Sequence, residues 1–294
     1  MSYTETICGS IPALITPFNN SGDIDLNAFK SLLSWHVDKG SHGLVICGTT
    51  GESPTVTDAE HMTLAQNAVQ NTPKGFPIII GCGSNSTQKA IKLTLQAQHA
   101  GANAALIVVP YYNKPSQKGI YAHFKAIHDA TELPIILYNV PSRTVADLAD
   151  DTVIQLAKLD RIIGIKDATG DLQRLEHMKQ HITKDFTFLS GDDMSAVEYM
   201  TRGGHGCISV SANVIPEKCA EIYNLIQNGE HTDAEAKDKV INSLHNAMFI
   251  EPSPAAAKYV LASMGKIENI LRLPLLPLSA AGIKDIQNIL KQNL

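Results

Sequence analysis

The stretch Ile11-Pro12-Ala13-Leu14-Ile15-Thr16-Pro17-Phe18-Asn19 decides between two α/β folds. Its first half is typical of a buried strand, and later apolar runs alternate in the same way with amphipathic segments. A doubly wound sheet usually has a glycine-rich phosphate turn after its first strand, whereas Thr16–Asn19 contains no glycine. The eight strand-then-helix units within residues 1–229 therefore predict a (β/α)8 barrel, the TIM-barrel fold of the α/β class.

Each predicted unit joins an apolar strand to a helix whose apolar residues recur with the helical period. The predicted strands are Ile11–Ile15, Gly43–Cys47, Pro77–Gly81, Ala104–Val109, Pro134–Tyr138, Ile162–Lys166, Phe186–Ser190 and Gly206–Val210. The predicted helices between them are Leu26–Lys39, Asp58–Gln70, Thr87–Ala100, Gly119–Ala130, Leu172–His181 and Asp193–Thr201. Thr57-Asp58-Ala59-Glu60 is a capping-box pattern, which predicts that Gly48–Val56 before it is a loop.

Strand-like runs stop after residue 229. Prolines separate the further helices that the sequence predicts at Gly229–Phe249, Ser253–Gly265 and Ser279–Leu294. We interpret residues 230–294 as a small C-terminal helical domain that serves packing or oligomerisation, since no residue pattern in it indicates chemistry.

The composition excludes several classes of protein. A net charge of −5 and the lack of a basic block argue against nucleic-acid binding. Apolar runs such as Ala104–Pro110 are too short to cross a bilayer, so we expect no membrane partner. No basic region followed by an apolar stretch opens the chain, and the expected location is the cytoplasm. The five cysteines are scattered without CxxC spacing and are expected to stay reduced.

Lys166 ends the sixth predicted strand, in the run Ile162-Ile163-Gly164-Ile165-Lys166-Asp167. Burying a lysine is costly, and desolvation favours the neutral amine that forms a Schiff base with a ketone. The alternative is a strand-end lysine paired with a carboxylate such as Asp167. Because barrel enzymes place their sites at the C-terminal ends of the strands, the other strand ends help to distinguish the two interpretations.

Three other strand ends carry polar groups that suit a common reaction. Gly48-Thr49-Thr50-Gly51-Glu52-Ser53 offers hydroxyls and N–H groups to a carboxylate or phosphate. Pro110-Tyr111-Tyr112-Asn113 offers phenols, and Tyr138-Asn139-Val140-Pro141-Ser142-Arg143 adds a phenol and a guanidinium. Taken singly, each has a structural explanation. The glycine-rich loop could be a tight turn, the tyrosines could pack in an interface, and Arg143 could form a surface ion pair. With Lys166 they indicate carbanion chemistry on a 2-oxo acid, in which lysine forms the iminium and hydroxyls move protons.

These segments resemble the signatures of the dihydrodipicolinate synthase family. The resemblance covers essentially the whole chain and rests on Gly48–Glu52, Pro110–Asn113, Tyr138–Arg143, Ile163–Lys166 and Gly204–Val210. It implies that pyruvate forms a Schiff base with Lys166 and condenses with L-aspartate-4-semialdehyde to 4-hydroxytetrahydrodipicolinate, in lysine and diaminopimelate biosynthesis. It implies no cofactor.

The resemblance also assigns site residues. The implied catalytic residues are Lys166, Tyr138, Thr50 and Tyr112, of which the last three would form a proton relay. The implied substrate-binding residues are Thr49, Thr50, Arg143 and Ile208. Tyr112 would reach the active site of a neighbouring subunit in a homo-oligomer, expected to be a tetramer made of tight dimers.

Many bacterial members are inhibited by free lysine, which binds at a site on the dimer interface. This chain matches part of that site. The matching residues are Ser53, His61, Asn85 and Tyr111. Asp58 stands where inhibited members often have histidine, and Lys89 stands where they have a glutamate that would meet the inhibitor's amino group. The positive charge of Lys89 would repel the amino group of the inhibitor, so we expect weak or absent feedback inhibition by free lysine.

Two other functions stay open beside the synthase. One is another pyruvate-dependent aldolase, such as an N-acetylneuraminate or 2-keto-3-deoxy sugar-acid lyase, against which Thr50 and Arg143 argue. The other is a binding protein without turnover, which would be expected to lack Lys166 or a relay residue. A metal site is not expected, because His177 and His181 have helical i, i+4 spacing but lie far from the strand ends.

Overall fold

Within residues 2–293, which the computed structural model describes, eight parallel strands form one sheet. They are β1 (Gly9–Pro12), β2 (Leu44–Ile46), β3 (Ile78–Gly81), β4 (Ala104–Val108), β5 (Ile135–Asn139), β6 (Ile162–Asp167), β7 (Thr187–Ser190) and β8 (Gly206–Ser209). Each strand pairs with the next in the chain from β2 to β8, and β8 pairs with β1. A parallel bridge between Ala13 and Val45 joins β1 to β2 and closes the ring. The predicted (β/α)8 barrel is confirmed.

Helices follow the strands and surround them. They are α1 (Tyr3–Thr6), α2 (Leu26–Asp38), α3 (Asp58–Gln70), α4 (Thr87–Ala100), α5 (Gln117–Ala130), α6 (Pro141–Thr144), α7 (Asp150–Leu156), α8 (Leu172–His181), α9 (Ala196–Thr201), α10 (Pro216–Gln227), α11 (His231–Ala247), α12 (Ala255–Ser263) and α13 (Ala280–Asn293). Short 3-10 helices lie at Ser53–Thr55 and Ser211–Asn213. The predicted final residue of α13, Leu294, lies outside the described residues.

Side-chain bonding sets several helix ends. The predicted capping box opens α3, where Thr57 and Glu60 bond each other's backbone N–H groups. Helix α5 begins at Gln117, before the predicted start, because the Ser116 hydroxyl caps it. Helix α9 begins at Ala196 and not at Asp193, whose carboxylate instead accepts N–H bonds from the turn after β8.

The buried core has two layers, separated by the barrel wall. Side chains on one face of the strands fill the barrel interior, for example those of Ile79, Leu106 and Ile136. The intervening strand residues, such as Ile78 and Ile80, pack outward against the helices. This alternation follows from the two-residue period of a strand and makes the interior a packed core and not a pore.

An irregularity in β6 changes which side chains enter the barrel. Ile135 pairs with Ile162, whereas Ile136 pairs with Gly164, so β6 holds one extra residue at Ile163. Ile163 packs in the interior layer, but Ile165, two residues later, packs in the outer layer. Since a shift of one residue reverses the faces of a strand, the irregularity brings Lys166 to the inner face.

None of the helices within residues 2–293 is both long enough and apolar enough to cross a lipid bilayer.

Buried histidines make stability depend on pH. Burial, helped by the charge of Lys266, lowers the pKa of His36 to about 3, so this residue stays neutral in the fold under mildly acidic conditions. In the unfolded chain its pKa returns to about 6.5, and proton binding there favours unfolding as the pH falls below that value. Between about pH 7 and about pH 5.5, we expect this residue to remove about 1 kcal/mol from the free energy of unfolding. Urea denaturation should show that the free energy of unfolding of His36→Gln falls by about 1 kcal/mol less than that of the wild type over this pH range. An equal fall in both proteins would contradict the assignment.

Candidate active site

Lys166 lies at the C-terminal end of β6 with its side chain almost fully buried. It pairs in register with Tyr138 of β5, and the two side chains meet inside the barrel mouth. The Nζ atom of Lys166 is 4.3 Å from the centroid of the Tyr138 ring. The structure therefore brings together the nucleophile and one relay residue that the sequence predicted.

Asp167, the next residue, does not pair with Lys166. Its carboxylate faces outward and accepts a bond of 2.8 Å from the Arg174 Nε atom and one of 2.9 Å from the Thr169 N–H. The Arg174 guanidinium also donates to the Leu148 carbonyl at 2.7 Å. The ion pair that would have explained Lys166 as a structural residue is therefore made by Arg174, which the sequence interpretation missed. Its position in the first turn of α8, directly after β6, was the available signal.

Gly191 provides the space that the Lys166 side chain occupies. A Cβ atom at this position would lie 2.7 Å from the Lys166 Cε atom and 2.8 Å from the Ala168 Cβ atom. Both contacts are shorter than carbon atoms tolerate, so any larger residue would displace the lysine. The sequence interpretation did not single out Gly191, although a glycine directly after an apolar strand signals a close approach.

The loop after β2 is a closely bonded turn around Thr49 and Thr50. The N–H of Glu52 donates to the Thr49 carbonyl at 3.0 Å, and the Thr16 hydroxyl donates to the Gly51 carbonyl at 2.7 Å. Thr50 is buried and Thr49 half-buried. The Thr49 and Thr50 N–H groups donate no hydrogen bond to any other described residue. Two adjacent N–H groups without a partner at the barrel mouth are suited to an anionic group such as a carboxylate.

A cleft of about 260 Å3 opens beside this loop, lined by Thr49 and by Arg143 of α6. Arg143 is exposed, and no carboxylate of residues 2–293 lies within ion-pair distance of its guanidinium. The surface ion pair that was the alternative explanation for Arg143 is therefore absent from the described structure. A small cavity of about 30 Å3 is lined by Thr49, Ser53 and Tyr138, and so shares Thr49 and Ser53 with the lining of the cleft.

Two further predicted site residues, Tyr112 and Ile208, lie in different surroundings. Tyr112 is 88% exposed and has a left-handed backbone with φ of 72°. Ile208 of β8 is buried in the interior layer with Tyr138.

Three of the four residues predicted for the inhibitory lysine-binding site lie in one cleft. The cleft of about 260 Å3 is lined by Ser53, His61 and Tyr111, together with Lys89. Asn85 does not line it, and its backbone carbonyl accepts a hydrogen bond of 2.9 Å from the Asn113 side-chain amide. Asp58 also lines the cleft, and its carboxylate forms an ion pair of 2.6 Å with Lys92.

No group of three or more His, Cys, Asp or Glu side chains in residues 2–293 is arranged to hold a metal ion. His177, one of the two histidines with helical spacing, contacts the Asp150 carboxylate at 3.2 Å.

Residues 6–293 match the model of the dihydrodipicolinate synthetase family. A 4-hydroxy-tetrahydrodipicolinate synthase from Pseudoalteromonas atlantica is 47% identical over 286 residues, which cover 97% of this chain and 98% of that protein. The chloride-inhibited dihydrodipicolinate synthase from Acinetobacter baumannii, solved in complex with pyruvate, aligns with a TM-score of 0.96 at 42% identity, covering 98% of this chain and 99% of that one. A monomeric dihydrodipicolinate synthase variant aligns with a TM-score of 0.95 at 36% identity, covering 99% and 98%. The chain belongs to the dihydrodipicolinate synthetase family.

Proposed function

We propose that this chain is a 4-hydroxy-tetrahydrodipicolinate synthase, which condenses pyruvate with L-aspartate-4-semialdehyde in lysine and diaminopimelate biosynthesis. The observation that carries the proposal is the buried Lys166 amine, which has a phenol beside it and no carboxylate partner among the described residues. Relatives covering nearly the whole chain have the same name, and one of them was solved in complex with pyruvate.

The Lys166 amine would attack the keto carbon of pyruvate, and loss of water would leave an iminium. The iminium withdraws electrons from the methyl group, which then loses a proton and forms an enamine. The enamine carbon attacks the aldehyde of the second substrate, and the new alkoxide takes up a proton. The amino group that came from the semialdehyde then attacks the former keto carbon, which is still bound to Lys166. This attack closes the ring and releases Lys166 as the free amine.

Each of these steps moves a proton, and hydroxyl groups are the available carriers. Tyr138 lies against Lys166 and would serve the iminium and enamine steps, with Thr50 and Tyr112 completing the relay. The free N–H groups of Thr49 and Thr50 support a role in holding the pyruvate carboxylate, and the backbone of Ile208, which is buried in the interior layer, would line the same site. The unpaired guanidinium of Arg143 suits the carboxylate of the semialdehyde.

The working form would be a homo-oligomer in the cytoplasm. Tyr112 is exposed, and no hydrogen bond joins it to the other proposed site residues among those described, which supports its insertion into the site of a neighbouring subunit. We propose a tetramer made of tight dimers as the assembly, although one relative is a monomeric variant.

A substrate comparison tests the proposal. The purified protein should consume pyruvate only when L-aspartate-4-semialdehyde is added, and should not cleave N-acetylneuraminate or 2-keto-3-deoxy sugar acids at a comparable rate. Cleavage of a sugar acid without condensation would assign the chain to a lyase of the same superfamily. A stable pyruvate complex without turnover of any substrate would identify a binding protein.

We expect lysine to inhibit this protein weakly or not at all. Lys89 lies in the cleft with Ser53 and His61, where its charge would repel the ammonium groups of the inhibitor. At an effective dielectric of about 20, one such charge costs on the order of 1 kcal/mol or more. A lysine titration of the turnover rate should leave most activity at millimolar concentration, and Lys89→Glu should be more sensitive than the wild type. Strong inhibition of the wild type at sub-millimolar lysine would contradict this expectation.

A further inference from the structure

A buried ion pair joins the C-terminal helices to the loop of the candidate active site. Lys258 of α12 contacts the carboxylate of Glu52, and both side chains are fully buried. Removing two charges from water is costly, and well-packed apolar residues would stabilise such a position at least as well. Such a pair can instead fix the geometry of the two segments that it joins.

Further contacts surround the two charged groups of this pair. The Lys258 Nζ atom also donates to the Ile270 carbonyl at 2.8 Å and lies 4.2 Å from the centroid of the Phe18 ring. The second carboxylate oxygen of Glu52 accepts the Arg272 N–H at 3.0 Å. Burial lowers the pKa of Lys258 to about 8, although the Glu52 charge opposes the shift.

Arg272 strengthens the same connection from the segment that follows α12. Its guanidinium lies 4.3 Å from the Phe18 ring centroid, so that this ring contacts both cations. It also donates to the Thr55 carbonyl at 2.8 Å and to the Glu60 carboxylate at 2.9 Å. The loop after β2 is thus held at Glu52, at Thr55 and at the helix that follows.

Glu52 transmits this anchoring to the two threonines. Its backbone is left-handed, with φ of 55°, a conformation that residues with a side chain rarely adopt unless their surroundings hold them there. Its N–H donates to the Thr49 carbonyl, so a rotation of Glu52 would move Thr49 and Thr50. The ion pair with Lys258 and the bond from the Arg272 N–H are the contacts in the described structure that hold the Glu52 carboxylate in this orientation.

We propose that Lys258 is a positioning residue, which acts through Glu52 to orient the Thr49–Thr50 loop for the carboxylate of pyruvate. The inference rests on the proposed function and extends it to the C-terminal helices, for which the sequence predicted only packing or oligomerisation. Lys258 touches no substrate in this account. Its effect would be on how well the loop is formed before pyruvate arrives.

The test uses the variants Lys258→Met and Lys258→Met/Glu52→Gln, with Lys266→Met as the matched control. Lys266 is also a C-terminal lysine over an aromatic ring, 4.1 Å from the centroid of Trp35, but it forms no ion pair with Glu52. The single variant leaves an unpaired buried carboxylate and could therefore fail to fold. The double variant removes both charges, so it should fold even in that case.

We expect KM for pyruvate to rise about tenfold in the variants that fold, while KM for the semialdehyde changes less than about twofold. Amide hydrogen exchange within residues 48–53 should accelerate about tenfold in the same variants, and Lys266→Met should resemble the wild type in both measurements. A double variant with wild-type KM for pyruvate and wild-type exchange would overturn the inference, since the pair would then serve packing alone. A wild-type protein without turnover of pyruvate would overturn the proposed function and this inference with it.

Discussion

Lys166→Ala is expected to lower the rate of condensation by about 10⁴-fold or more, because no other group can form the iminium. The variant should fold, since alanine in place of a buried lysine leaves no unpaired charge in the barrel. Its rate of product formation from pyruvate and the semialdehyde, compared with that of the wild type, measures the effect directly.

Lys184→Met is a suitable control for that variant. Lys184 is also partly buried, burial lowers its pKa, and it donates to the Leu159 carbonyl at 2.7 Å, but it lies outside the barrel mouth. It should keep a rate within about twofold of the wild type. A Lys166→Ala protein that retained a tenth of the wild-type rate would show that the chemistry does not pass through this amine.

Gly191→Ala is expected to lower the rate by about 10²-fold, because the added methyl group would occupy the space of the Lys166 side chain. The alanine Cβ would lie 2.7 Å from the Lys166 Cε atom, so the lysine must move by a substantial fraction of an ångström. The displacement acts on the nucleophile itself, so the rate of Schiff-base formation should fall together with kcat. Single-turnover measurements with pyruvate would resolve the two.

Gly119→Ala provides the comparison for this prediction. Gly119 lies within α5, where an added Cβ would come no closer than 3.2 Å to Pro115 and alanine favours the helix. It should retain wild-type kinetics. If Gly191→Ala formed its Schiff base at the wild-type rate, the barrel would tolerate a shifted lysine and the role given to Gly191 would be wrong.

Much of this architecture follows from local sequence patterns. Buried parallel strands are continuous apolar runs, so the eight strands of the barrel could be located from hydrophobicity alone. The strand ends then identified Lys166 and Tyr138, because a TIM barrel gathers its strand ends at one mouth. The proximity of these two residues is a consequence of neighbouring strands in register.

Other features depend on contacts between distant segments and could not be predicted in the same way. The inward orientation of Lys166 requires the extra residue at Ile163, which simple alternation does not reveal. The bond between Asp167 and Arg174 removes the carboxylate that the sequence offered to the lysine. The pairing of Glu52 with Lys258 joins segments far apart in the chain, and neither residue alone indicates it.

Reductive trapping tests the central claim most directly. The protein would be incubated with pyruvate, treated with sodium borohydride and digested for peptide mass spectrometry. We predict one adduct, with the mass of pyruvic acid less one oxygen atom, on Lys166 and on no other lysine of the native protein. Absence of an adduct in a protein that still turns pyruvate over, or an adduct on a different lysine, would contradict the assignment of Lys166 as the Schiff-base nucleophile.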